Sequence, residues 1–86
     1  MNQEKTFRQV TREVGLKLRL MRDYLELNGE EAAEKFGCCQ ATIPIYESGK
    51  ENPNLLYLQR ITNACGMTID DLLLNKKDFM QKLYFS

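Results

Sequence analysis

The sequence contains no histidine, and its three cysteines, Cys38, Cys39 and Cys65, show no CxxC spacing. Histidine is the usual general base, and histidine and spaced cysteines are the usual zinc ligands, so their absence disfavours both kinds of site. There is also no glycine-rich phosphate loop, and no serine or cysteine has an evident base partner. We therefore expect no enzymatic activity, no metal and no other cofactor. The cysteines are interpreted as reduced, buried or half-buried thiols, with a redox switch as the minor alternative.

Long apolar runs are also missing. A membrane-spanning helix needs about 20 predominantly apolar residues, and no run in the chain approaches that length. The opening segment "MNQEKTFRQVTREV" lacks the apolar core of a signal peptide. The final "KKDFMQKLYFS" combines three lysines with four apolar residues at helical spacing, Phe79, Met80, Leu83 and Tyr84, which make only a small membrane anchor. We expect a cytoplasmic protein with no membrane partner.

Net charge is zero, with 12 basic and 12 acidic residues, although a nucleic-acid-binding domain usually carries a positive surplus. The distribution is uneven. Residues 1–27 hold six basic and four acidic side chains, residues 28–75 hold three and seven, and residues 76–86 hold three and one. Positive charge is therefore concentrated at the two ends of the chain, and the middle is acidic.

Helix signals fill the chain. Its 86 residues, 43% of them hydrophobic, suit one small globular domain. Thr6 and Gln9 have the spacing of a capping box and predict a helix that reaches about Glu26. Gly15 lowers the stability of this helix but is tolerated within it. One face of this helix carries apolar side chains at helical spacing: Val14, Leu18, Met21 and Leu25.

Four further helices are predicted. Asn28 and Glu31 open the second, which Gly37 ends, and the third covers about residues 40–48 before Gly49. The fourth follows Pro53 and ends at Gly66, with Leu55, Leu58, Ile61 and Cys65 on its apolar face. Thr68 opens a fifth helix that runs through Leu74. No strand pattern of useful length is present, so the fold class is all-α.

Residues 14–74 resemble the five-helix, lambda-repressor-like helix-turn-helix domain of the phage repressor and Cro family, the XRE-type regulators. The matching residues are Val14, Gly15, Leu18, Arg22, Asn28 through Glu31, Ala33, Phe36, Gly37, Thr42, Ile43, Glu47 through Lys50, Pro53, Leu58, Gly66 and Ile69 through Leu73. The resemblance implies a helix-turn-helix domain over residues 1–75. Residues 76–86 then form a short amphipathic C-terminal tail, helical in one interpretation.

The resemblance implies a sequence-specific DNA-binding transcriptional regulator, a repressor or Cro-like protein, whose third helix enters the major groove of double-stranded DNA. The positions that it assigns to DNA contact are Gly29, Cys39, Gln40, Ala41, Thr42, Pro44, Ile45, Lys50 and Asn52. Gln40 suits a bidentate contact with adenine, and Ala41 or Ile45 suits a thymine methyl group. Thr42, Lys50 and Asn52 suit phosphates. The resemblance also implies that Arg22 and Glu47 pair and fasten the third helix to the first.

Three positions depart from the family pattern. Gly29 stands where the family usually has glutamine, and Pro44 and Ile45 stand where polar or basic residues are usual. Pro44 would cost roughly 3 kcal/mol in a helix that began at Gln40, so we expect the third helix to begin near Thr42, with Thr42 as its cap. Residues 28–50 contain two lysines and four glutamates. The arginines of the first helix and the terminal lysines compensate only if they face the duplex.

A second hypothesis is a protein-interaction module, an antirepressor or accessory factor, on the same scaffold without DNA binding. Its basis is that Cys38, Ile43, Ile45 and Tyr46 are not all expected in the core, and an exposed apolar patch usually contacts another protein. Either function fits a homodimer. The candidate dimer surface comprises a second stripe of the first helix and the C-terminal stripe: Leu16, Leu20, Tyr24, Phe79, Met80, Leu83 and Tyr84.

Overall fold

A computed structural model describes residues 6–85, and the described chain is entirely helical. Its elements are α1 (Phe7–Tyr24), α2 (Gly29–Phe36), α3 (Thr42–Ser48), α4 (Leu55–Ala64), a 3₁₀ helix (Ile69–Leu73) and α5 (Lys76–Phe85). The predicted all-α class is confirmed. The predicted fifth helix is the 3₁₀ helix, and α5 is the C-terminal segment. Within residues 6–85, no helix is long and apolar enough to cross a membrane.

The first two helices begin where their caps predict. The Gln9 amide N–H donates to Thr6 Oγ1 at 3.2 Å, and the Thr6 N–H donates to Gln9 Oε1 at 2.8 Å. Asn28 and Glu31 exchange the same two bonds at 2.8 and 2.9 Å. These bonds satisfy amide groups that the first helical turn leaves unpaired. Helix α1 ends at Tyr24, earlier than predicted.

Two glycines allow α1 and α3 to cross at close range. A Cβ atom on Gly15 would lie 2.6 Å from the carbonyl oxygens of both Tyr46 and Glu47. A Cβ atom on Gly49, which has a φ of 79°, would lie 2.7 Å from the Cα atom of Arg12. Gly15 is therefore required for packing, and the interpretation of it as a tolerated cost was incomplete.

Lys17 lies inside the fold, which the sequence analysis did not anticipate. Its side chain is buried, and Nζ donates to the carbonyl oxygen of Leu72 at 2.8 Å and to that of Leu74. The ammonium group also lies 5.7 Å from the ring centroid of Phe79, a cation–π distance. Lys17 thus fastens α1 to the 3₁₀ helix and to α5.

Helix α5 completes the core of the same domain. Phe79 and Leu83 are buried with the apolar side chains of α1 through α4. Lys82 Nζ lies 2.8 Å from the carboxylate of Asp71 in the 3₁₀ helix. That contact and the N–H of Thr68 hold the pKa of Asp71 below its usual value. Residues 76–85 are therefore part of the globular domain and do not form a separate tail.

Candidate nucleic-acid interface

Helices α2 and α3 flank a tight turn that begins at Gly37. Gly37 adopts the left-handed conformation at a φ of 75°, and its N–H donates to the carbonyl oxygen of Ala33. This is the backbone geometry that glycine favours after a helix. Ala32, Ala33 and Phe36 face the core, so the other face of α2 and the turn point outward. The pair has the order of elements of a helix-turn-helix.

Helix α3 begins at Thr42, as expected from Pro44. Pro44 is the third residue of the helix, where an N–H would have no partner within the helix, so the proline costs little. The expected cap was wrong: Ala41 occupies the N-cap position and makes no side-chain cap bond. Residues 40 and 41 form a turn immediately before the helix, and the Thr42 N–H donates to the Cys39 carbonyl oxygen at 3.0 Å.

One side of α3 is core and the other is accessible. Ile43 and Tyr46 are buried at 1% and 7% exposure, and the Tyr46 ring packs on Tyr57 with a centroid separation of 5.2 Å. The residues assigned to DNA contact all retain exposed surface. The exposed residues are Cys39, Gln40, Ala41, Pro44, Lys50 and Asn52, and the partly exposed ones are Gly29, Thr42 and Ile45.

The structure brings most of these residues together. Residues 39–45 form one continuous stretch over the turn and the start of α3, and Lys50 and Asn52 follow the C-terminal end of that helix. Gly29 is the first residue of α2, and a Cβ atom built on it meets no atom within 4 Å. A side chain at position 29 would therefore find open space.

The predicted apolar patch on residues 37–47 is not present. Ile43 and Tyr46 belong to the core, and Cys38 is half-buried against it. Only Ile45 keeps a partly exposed aliphatic side chain on the outer side of α3. Because helical spacing places residues 43 and 46 on one side and residue 45 on another, the four side chains never share a surface.

Arg22 and Glu47 make the contact that the family resemblance implies. Arg22 Nε lies 2.7 Å from Glu47 Oε2, and a second guanidinium nitrogen donates to Oε1 at 2.9 Å. Arg22 also donates to the carbonyl oxygen of Leu27 at 3.0 Å. Only 13% and 9% of the two side chains are exposed, and the Glu47 hydrogen bond raises the pKa of Arg22. The pair fixes the C-terminal part of α3 to the end of α1.

A groove between α1 and α3, with a volume of about 570 Å³, borders the exposed face of α3. Its lining comprises Arg12, Glu13, Leu16, Arg19, Pro44, Glu47 and Ser48. This groove was not predicted from the sequence. The signal for it is the spacing of Arg12, Leu16 and Arg19, which are four and three residues apart and therefore share one face of α1.

The three cysteines are free thiols in different surroundings. Cys39 is exposed, whereas Cys38 and Cys65 are half-buried. Burial raises the pKa of the Cys65 thiol to about 11 and also raises the pKa of the Cys38 thiol. A higher pKa means less of the reactive thiolate, so Cys39 is the most accessible of the three to alkylating reagents.

The candidate dimer surface is smaller than expected. Phe79 and Leu83 are buried within their own domain and offer no surface to a second copy. Leu16, Tyr24 and Tyr84 are 43%, 42% and 44% exposed. Leu20 and Met80 are half-buried, and the rings of Tyr24 and Tyr84 meet edge-on at 5.5 Å. Helix α5 therefore covers part of the second stripe of α1.

Neither the comparison with protein-family models nor that with curated proteins finds a match to this chain. Its function is therefore inferred from the chain's own residues. The feature that indicates a function most clearly is the α2–turn–α3 unit, which has one accessible side and a fixed orientation relative to α1.

Proposed function

We propose that this protein is a sequence-specific DNA-binding transcriptional regulator of the cytoplasm, with α3 as the helix that enters the major groove. The observation that carries the proposal is the two-sided character of α3. Its core side is fixed by Ile43, Tyr46 and the Arg22–Glu47 pair. The turn before it, at residues 39–41, is accessible, as are Pro44 and part of Ile45 on its outer side. The major groove is about 12 Å wide and admits an α-helix with its side chains.

Each outer residue has a role that its chemistry suits. Gln40 stands at the leading end of α3 and is exposed, and its amide both donates to and accepts from an adenine edge. Ala41 and Ile45 offer methyl groups to thymine. Thr42, Lys50 and Asn52 offer donors to phosphate oxygens, which fix the register of the protein on the duplex.

The regulator acts as a homodimer on a two-fold site in this proposal, with half-sites about 34 Å apart. The surface available for the second copy is the seam of α1 and α5. Its exposed or half-buried members are Leu16, Leu20, Tyr24, Met80 and Tyr84. Light scattering across a concentration series measures this part separately, and a monomer at high concentration would remove it.

Selection of bound duplexes from a random pool, followed by a salt titration, tests the function. We expect an enriched motif, an affinity that falls steeply with salt, and a loss of about 1–3 kcal/mol of binding free energy in Gln40→Ala. Gln40 is exposed and makes no side-chain hydrogen bond within residues 6–85, so this change leaves the fold intact. If no duplex is enriched at low salt, the proposal is wrong.

One observation still favours the alternative function, a protein-interaction module. Large apolar side chains are exposed away from α3, notably Leu55, Leu73 and Phe85 at 73%, 73% and 83%, and such surface favours protein contact. The face first suggested for this role, residues 37–47, no longer supports it because Ile43 and Tyr46 are buried. A stable complex with another protein that is lost in Leu73→Glu, together with indifference to DNA, would favour the alternative.

A further inference from the structure

The basic side chains of α1 divide into two groups. Lys17 is buried against backbone carbonyls, and Arg22 is held by Glu47, so neither can leave its place without disrupting the fold. Arg8, Arg12 and Arg19 are exposed. Of these three, Arg12 and Arg19 line the groove beside α3. Arg12 and Arg19 are therefore the exposed basic side chains of α1 that can reach a ligand bound on α3.

The position of Arg12 is fixed by its backbone. Its Cα atom lies 2.7 Å from the position that a Cβ atom on Gly49 would occupy. Lys50 is the next residue along the chain and is also exposed. Arg12 therefore stands beside the C-terminal end of α3, where Lys50 begins the loop to α4. Arg19 lies two turns further along the same face of α1.

The acidic groups of the groove do not cancel these charges. Glu47 is occupied by Arg22 at 2.7 Å, and Glu13 is one carboxylate on the lining. Arg19 approaches Asp23 at 3.4 Å, but both side chains are more than half exposed, and such surface pairs contribute little. Arg12 has no hydrogen-bond or ion-pair partner in the part of the chain from residue 6 to residue 85.

We propose that Arg12 and Arg19 bind phosphates of the DNA strand that borders α3, a role that rests on the proposed DNA binding. Leu16 and Pro44 line the same groove, and in this arrangement they face the deoxyribose of that strand. The two arginines supply the positive charge that residues 28–50 lack. They contact no bases, so they set affinity and salt dependence and leave sequence preference to α3.

The double variant Arg12→Gln/Arg19→Gln tests the assignment on the duplex that the selection enriches. Each phosphate contact contributes about 0.9 to the slope of log K against log salt. We therefore expect the slope to fall by roughly 2 units, with the same bases preferred. The matched control is Lys76→Gln/Lys77→Gln, which removes the same charge from α5 outside the groove lining and should leave the slope nearly unchanged.

The Arg12→Lys/Arg19→Lys variant keeps the charge and should keep most of the slope, which separates a phosphate contact from a folding defect. An unchanged slope in the glutamine variant, or an equal fall in the control, would overturn the assignment while DNA binding stands. A relaxed base preference in the glutamine variant would also overturn it. If the wild-type protein binds no duplex, the proposed function and this inference both fail.

Discussion

Helix α1 packs against α3 along one side and against the 3₁₀ helix and α5 along another, and the two seams use basic side chains differently. At the seam with the 3₁₀ helix and α5, Lys17 of α1 binds backbone carbonyls, and Lys82 of α5 binds Asp71 of the 3₁₀ helix. At the seam with α3, glycines make the closest contacts, Arg22 pairs with Glu47, and Arg12 stays at the surface. The formal net charge counts all of these side chains equally, although a basic side chain that is held by its own domain is not available to bind a ligand.

The same division applies to the acidic residues. Glu47 and Asp71 are each satisfied by a basic side chain of their own domain, and Glu31 bonds the N–H of Asn28 in a helix cap. Part of the acidic surplus of residues 28–75 is therefore structural. A zero net charge is weak evidence against DNA binding when the charges that remain available are segregated in this way.

The seam with α3 is the more vulnerable to loss of a charge. In Glu47→Ala, the guanidinium group of Arg22 stays largely buried without its carboxylate, and we expect a loss of about 3–5 kcal/mol in the free energy of unfolding. The variant should also lose DNA binding, because α3 is no longer fixed to α1. Urea denaturation measures the first effect. In the double variant Arg22→Met/Glu47→Leu no charge is left unpaired, so it should be more stable than Glu47→Ala. Equal losses in the free energy of unfolding of the two variants would show that the unpaired Arg22 charge is not the cause of the loss in Glu47→Ala.

The seam with α5 should respond in stability alone. In Lys17→Met, the carbonyl oxygens of Leu72 and Leu74 lose their buried donor, and we expect a loss of about 1–3 kcal/mol. The affinity for DNA, measured well below the unfolding transition, should not change, since the contacts of Lys17 are with the 3₁₀ helix and α5. Lys77→Met removes an exposed charge and serves as the control. A DNA-binding defect in folded Lys17→Met would break the distinction between the two seams.

The Asp71–Lys82 pair joins the 3₁₀ helix to α5, and it makes this end of the domain sensitive to acid. The pKa of Asp71 is lowered in the folded protein, so its contribution is present at pH values above its unfolded pKa and is lost as pH falls through the folded value. Lys82 is 47% exposed, so screening limits the effect to about 1 kcal/mol or less. Urea denaturation of the wild type and of Asp71→Asn should therefore differ at pH 6 and converge near pH 2. A constant difference across this range would contradict the linkage.

The starts of α1 and α2 followed from the sequence because capping is local: the Thr6–Gln9 and Asn28–Glu31 bonds join residues three apart. The late start of α3 followed from the local geometry of Pro44. The burial of Lys17 and the close contact at Gly15 were not predictable in this way. Both depend on partners more than 30 residues away, Leu72 for Lys17 and Glu47 for Gly15, which no local pattern encodes.

The candidate site likewise contains some residues that were predictable from the sequence and some that were not. The family resemblance selected residues 39–42, Pro44 and Ile45 and the Arg22–Glu47 pair; the pair forms, and the other residues keep exposed surface. It could not select Arg12 and Arg19, because their relation to α3 depends on how α1 crosses that helix. The apolar spacing of the C-terminal segment also left Phe79 and Leu83 available for a dimer, since an apolar stripe alone does not say whether its own domain or a second copy covers it.

The smallest expected effect on stability is at Gly29, where the departure from the family pattern can be reversed. A Cβ atom at this position meets nothing within 4 Å, so glutamine fits without displacing a neighbour, and it is a better helix former than glycine. We expect Gly29→Gln to change the free energy of unfolding by less than about 1 kcal/mol and to strengthen DNA binding several-fold, because the amide adds a donor for the phosphate backbone. Gly29→Ala supplies the control, since it adds the Cβ atom without the amide. If both variants bind DNA with the wild-type affinity, the N-terminus of α2 does not approach the duplex, and the contact surface is confined to α3 and the groove beside it.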